Sequence, residues 1–64
     1  MPLREVLFEF QQVGNVTKVT AIEPQTMTEV SIQVPAWATE YTMKQNAIRR
    51  LEFVMRRKGL LPDR

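Results

Sequence analysis

Hydrophobic and polar positions alternate through the first third of the chain. Val6, Phe8 and Phe10 fall on one side, and Leu7, Glu9 and Gln11 on the other, the period-2 pattern of a half-buried strand over about residues 5–13. Gly14-Asn15 follows, a two-residue hairpin signal in which glycine supplies the positive φ of a primed turn. A second strand, rich in β-branched residues, is expected over about residues 16–23. Pairing Val13 with Val16 sets Phe10 against Val19 and Phe8 against Ala21 on one face. On the other face Leu7 meets Ile22, Glu9 meets Thr20 and Gln11 meets Lys18. Apolar meets apolar and polar meets polar, which specifies the register.

Pro24 to Met27 reads as the next turn, and about residues 28–34 as a third strand with Val30, Ile32 and Val34 on one face. Pairing Ala21 with Val30 and Val19 with Ile32 continues the apolar face. Pro35 stops this strand and Thr39 is the N-cap of a helix over about residues 39–58. Met43, Ala47, Ile48, Leu51, Val54 and Met55 form its apolar stripe, and Gly59 and Pro62 mark its end. The expected fold is α+β: a three-stranded antiparallel meander in the order 1-2-3, with one C-terminal helix packed on one face and residues 1–64 forming one domain. Its core centre is expected at Phe8, Phe10, Val19, Ala21, Val30, Ile32, Ala47, Leu51 and Val54. Trp37 and Tyr41 are expected to close one end, and Leu60 and Leu61 to fold back on the core.

Composition narrows the functional classes. At 64 residues, 44% hydrophobic and 25% charged, the chain is globular with one small core. It has no cysteine and no histidine, so it lacks thiolate ligands, disulfides, the commonest metal ligand and the commonest general base. Arg4, Glu5 and Glu9 interrupt any leader-like apolar run, and no stretch has the roughly 20 apolar residues of a membrane helix. A cytoplasmic protein without membrane association is the expectation. Two glycines form no phosphate loop, and Ser31 has no base beside it. Neither a catalytic residue nor a cofactor or metal site is assigned, and the chain is read as a non-enzyme.

The run Glu5-Val6-Leu7-Phe8-Glu9-Phe10, then Val13-Gly14-Asn15, Lys18-Val19-Thr20-Ala21-Ile22 and Thr28-Glu29-Val30-Ser31-Ile32, resembles a group of short uncharacterised proteins from alphaproteobacteria. The similarity covers most of the chain, including the basic helix. It implies the βββα fold and no reaction, ligand or partner. Met27 departs from the pattern, where glycine is expected in the second turn. Val13-Gly14-Asn15-Val16-Thr17 is also similar to the strand-turn region of swapped-hairpin transcription factors. The Ile-Pro and short helix that follow in those proteins are missing here.

Two surfaces are candidates for function. Residues 39–64 hold seven Lys/Arg against three Asp/Glu, whereas residues 1–38 hold two against four. On a helical wheel Arg49, Arg50, Phe53, Arg56 and Arg57 fall opposite the core stripe. Arginines on a helix contact phosphate, and an exposed ring stacks on bases or anchors a protein interface. The same residues also serve as a solvated face that offsets the helix dipole, with Glu52 and Arg56 as an i, i+4 pair. A helix tilt that buries Phe53 beside Trp37 is a further reading of that ring. The second candidate is Leu7 with Ile22, an apolar pair on the outer sheet face that favours self-association. Strands 1 and 3 are both read as open edges, neither blocked by proline or lysine.

The sequence therefore reads as a small non-enzymatic interaction module. Its expected partner is a second copy, joined by strand edge, sheet face or helix exchange, or a larger protein whose identity the sequence does not disclose. The alternative is non-specific nucleic-acid binding through the basic helix. A net charge of +2 is a weak footprint for that role.

Overall fold

The computed structural model describes residues 5–62. Its elements are β1 (Leu7–Val13), β2 (Val16–Glu23), β3 (Thr28–Pro35) and α1 (Glu40–Arg57). The strands form one antiparallel sheet in the order β1-β2-β3, as the alternation predicts, and both registers agree with it. Leu7 lies opposite Ile22, Phe10 opposite Val19 and Val13 opposite Val16. Val19 then meets Ile32, and Ala21 meets Val30. Residues 5 and 6 precede the strand rather than belonging to it.

Each turn follows from its residues. Gly14 has φ +61, and Asn15 is not among the positive-φ residues, the pattern of a type II′ hairpin turn. In the second turn Met27 has φ 58, so the left-handed residue falls where the resemblance expects glycine. Thr39 caps the helix by accepting from the Thr42 amide at 3.1 Å. At the other end the Gly59 amide donates to the Arg56 carbonyl at 3.0 Å and the Leu60 amide to the Met55 carbonyl at 2.8 Å. With Gly59 at φ +76, this is a Schellman closure.

The helix packs on β2 and β3 and barely touches β1. Val19, Ala21, Val30 and Val34 of the sheet are buried against Met43, Ala47, Leu51 and Met55. Phe8, Ile32 and Val54 are only partly buried at the margin of this core. The expected core centre therefore shifts away from β1. Phe10, expected inside, is 43% exposed because α1 seats over β2 and β3 and reaches only the margin of β1. Trp37 and Tyr41 do not close an end: they are 85% and 73% exposed, on the β3–α1 connection and the outward side of the first helical turn. Leu61 packs against the core, whereas Leu60 stays exposed.

The two sheet edges also differ. A two-residue turn makes Val13 and Val16 a hydrogen-bonded pair, so every second residue of β1 (Leu7, Glu9, Gln11, Val13) bonds to β2. The backbone groups of Phe8, Phe10 and Gln12 then point to the free edge. The same alternation puts Pro35, opposite Val16, with its nitrogen toward the outer edge of β3, where a missing N–H costs no sheet bond. The edge of β3 thus ends in a proline, contrary to the expectation of two equally open edges, while β1 carries no such block.

Met27 is 78% exposed, so replacing it loses almost no packing. Relief of left-handed strain, about 1–2 kcal/mol, outweighs the extra chain entropy of glycine, about 0.4–1 kcal/mol. Met27→Gly should stabilise the protein by up to about 1 kcal/mol, and Met27→Val should destabilise it. Urea unfolding of the three proteins checks this order, which fails if Val is tolerated as well as Gly.

Candidate functional surfaces

The helix places the predicted basic residues unequally. Its buried line runs through Met43, Ala47, Leu51 and Met55, which puts Phe53 on the far side with 48% of its surface exposed. Three and four residues away on the helix, Arg50 and Arg57 lean over its ring, their guanidinium carbons 5.4 and 5.8 Å from the centroid. At an exposed site such contacts contribute about 0.5–1 kcal/mol each. Arg49 is exposed on the same side. Arg56 is different: it is half-buried and turns to Glu52, 4.0 Å away. The structure thus joins Arg50, Phe53 and Arg57 in one cluster and separates Arg56 from it. Phe53 is not buried, which removes the reading that packs it beside Trp37.

On the outer sheet face Leu7 and Ile22 are directly opposite, with Leu7 exposed and Ile22 half-buried. Val13 and Val16 form a second exposed apolar pair at the other end of the same two strands. Between the pairs the face is polar, and the Thr20 and Ser31 hydroxyls hydrogen-bond across β2 and β3 at 3.0 Å. Glu9 and Glu29 lie on strands separated by β2, roughly 10 Å apart at two strand spacings, too far for shared proton chemistry.

Sequence reasoning missed the helix-side surface of β1. Phe8 and Phe10 stack with ring centroids 6.3 Å apart. The Lys44 ammonium sits 5.5 Å from the Phe8 centroid and bonds Glu40 at 2.9 Å. Phe10 faces an open groove with Gln12, Thr17, Ala38, Glu40 and Met43. Every residue of β1 except Phe8 is exposed, including Leu7, Phe10 and Val13. The available signal was that a single helix is too narrow to cover three strands, which does not say which strand is left.

Glu23 is a second omission. Alternation puts it beside Val19 and Ala21 on the helix face, and it is buried there. Its carboxylate accepts from the Thr26 hydroxyl and, at 2.8 and 2.9 Å, from the Thr26 and Gln25 amides. The Thr26 and Thr28 hydroxyls also hydrogen-bond each other at 2.7 Å. The hydroxyl of Thr26 holds the Glu23 carboxyl below its ordinary pKa; burial opposes this, and the two amides reinforce it. Every one of these bonds goes to the adjacent turn, so Glu23 ties the β2–β3 connection. Among the described residues no group of three or more His, Cys, Asp or Glu can hold a metal ion, and no helix is long and apolar enough to cross a membrane.

A lowered folded-state pKa means that Glu23 stabilises the protein fully above its unfolded value, about 4.3, and that this is lost as pH falls through the folded value. The urea midpoint of the wild type should therefore drop below about pH 4.3 more steeply than that of Glu23→Gln. At neutral pH the variant should be the less stable of the two. Parallel slopes in a pH series of urea titrations would show that the charge on Glu23 carries no part of turn stability.

No curated protein and no solved structure matches the chain. The strands, the turns and the whole of α1 nevertheless fall within one family model: residues 3–58 match Domain of unknown function (DUF6898), and the chain belongs to that family.

Proposed function

We propose that this protein is a non-enzymatic interaction module that works by self-association, with β1 as its binding element. The observation that supports the reading is the exposure of β1 on both faces together with a backbone edge that no strand among the described residues pairs. A strand with free N–H and C=O groups templates a further strand, and here it also offers Leu7, Phe10 and Val13 as exposed apolar surface. In so small a domain, association adds the burial that one core cannot supply. The Arg50–Phe53–Arg57 cluster lies on the far side of the helix from the sheet and stays free in such an assembly. A net charge of +2 is a weak footprint for nucleic acid, so nucleic-acid binding is the lesser reading. The protein is read as acting in the cytoplasm.

Sedimentation velocity at high micromolar concentration tests this. The wild type should run at twice the 7.5 kDa mass of one chain. Gln12→Pro, which removes an edge-facing N–H while sparing the β1–β2 ladder, should run as a folded monomer with an unchanged circular dichroism spectrum. A wild type that stays at 7.5 kDa throughout overturns the reading.

A further inference from the structure

We infer that two copies of this chain join through β1 in one register, antiparallel and centred on Phe10, to form a continuous six-stranded sheet with both helices on the same face. This rests on the reading of β1 as a self-associating strand and goes further by fixing partner, symmetry and register. A two-fold axis perpendicular to the sheet relates the copies, so paired residues must lie on the same face and the axis must pass through a single residue of the strand. Centred on Phe10, all seven residues of β1 find a partner in the second copy. On the outer face Leu7 meets Val13 of the second copy and Glu9 meets Gln11, so the apolar ends cover each other and the carboxylate faces an amide. On the helix face Phe8 meets Gln12, and Phe10 meets itself.

The neighbouring registers are worse for identifiable reasons. Centring on Glu9 sets two carboxylates directly opposite, which is repulsive, and leaves Val13 uncovered. Centring on Gln11 places Glu9 against Val13 and leaves Leu7 uncovered. The backbone agrees with the Phe10 register, because the edge-facing groups belong to Phe8, Phe10 and Gln12, and these pair only with one another in it. Its consequence is a groove between the two helices, floored by the stacked Phe8 and Phe10 rings of both copies. The two half-open faces that α1 leaves, one on each chain, thereby become one continuous apolar groove.

Because Phe10 faces itself across the axis, a charge exchange reports directly on the register. Phe10→Lys and Phe10→Glu should each weaken dimerisation at least about tenfold, since each sets like charges opposite. An equimolar mixture should re-form a dimer containing one chain of each kind. The chain has no cysteine, so a second measurement is free of background. Among Glu9→Cys, Phe10→Cys and Gln11→Cys, the Phe10 variant should form the disulfide-linked dimer fastest, because the opposed Cα atoms of a hydrogen-bonded pair lie at about 5.5 Å, within disulfide range. Faster cross-linking at Glu9 or Gln11 overturns the register even if the variants at Phe10 fold poorly. A wild-type dimer that survives both Phe10 charge variants overturns the inference while leaving self-association intact. A wild type that never dimerises overturns the reading beneath it.

Discussion

One helix lying on a three-stranded sheet is the constraint from which most of this structure follows. With its side chains a helix is about 10–12 Å across, whereas three strands at about 4.8 Å spacing present a face about 14 Å wide. The helix stripe of Met43, Ala47, Leu51 and Met55 therefore seals two strands and leaves the third. It seats on β2 and β3. β2, flanked on both sides, becomes the most buried strand, and even Thr20 on its outer face is nearly inaccessible. β1 has a partner on one side only, and of its residues only Phe8 is partly covered.

That asymmetry explains the exposed apolar residues of the sheet, as distinct from Met27, Trp37, Tyr41, Phe53 and Leu60 on the second turn, the helix and its flanks. Leu7, Phe10 and Val13 are on β1, and Val16 is opposite Val13. Phe8 keeps partial burial through its stacking with Phe10 and the Lys44 ammonium above it. On the opposite edge β3 is covered by the helix on one face and ends in Pro35. A chain selected to remain a monomer has the converse arrangement, with charge or proline on its most apolar edge. The mutually supporting turn and cap geometry elsewhere in the chain makes the exposure of β1 stand out further.

The connections show how local chemistry holds a small fold in place. The second turn places a non-glycine residue at positive φ, and its strain is opposed by Glu23, whose carboxylate gathers two amides and a hydroxyl from the same turn. A buried carboxylate is tolerated because those donors replace the water it gives up. At the two ends of the helix the Thr39 cap and the Gly59 closure satisfy the termini, so α1 needs no other element to define its length.

The sequence by itself determined the strands, their registers, the helix and both its caps. Each of these depends on neighbours in the chain or on a period of two or 3.6 residues. Met27 was singled out only by the resemblance, which expects glycine there; the structure gives the reason, a positive φ at that position. Alternation placed Glu23 on the buried face as well, although only the folded turn shows the donors that make that position acceptable. The basic face was legible as a set, but not the division between Arg50 and Arg57, which bracket Phe53, and Arg56, which turns to Glu52; rotamer and neighbour choose between those. Tertiary structure alone decided which strands the helix covers. Periodicity says that Phe10 and Val30 share a face, but not that one is exposed and the other buried. The reason is that periodicity orients a side chain about its own strand, whereas burial depends on where a separate element comes to rest. The exposure of Phe10 follows from that placement.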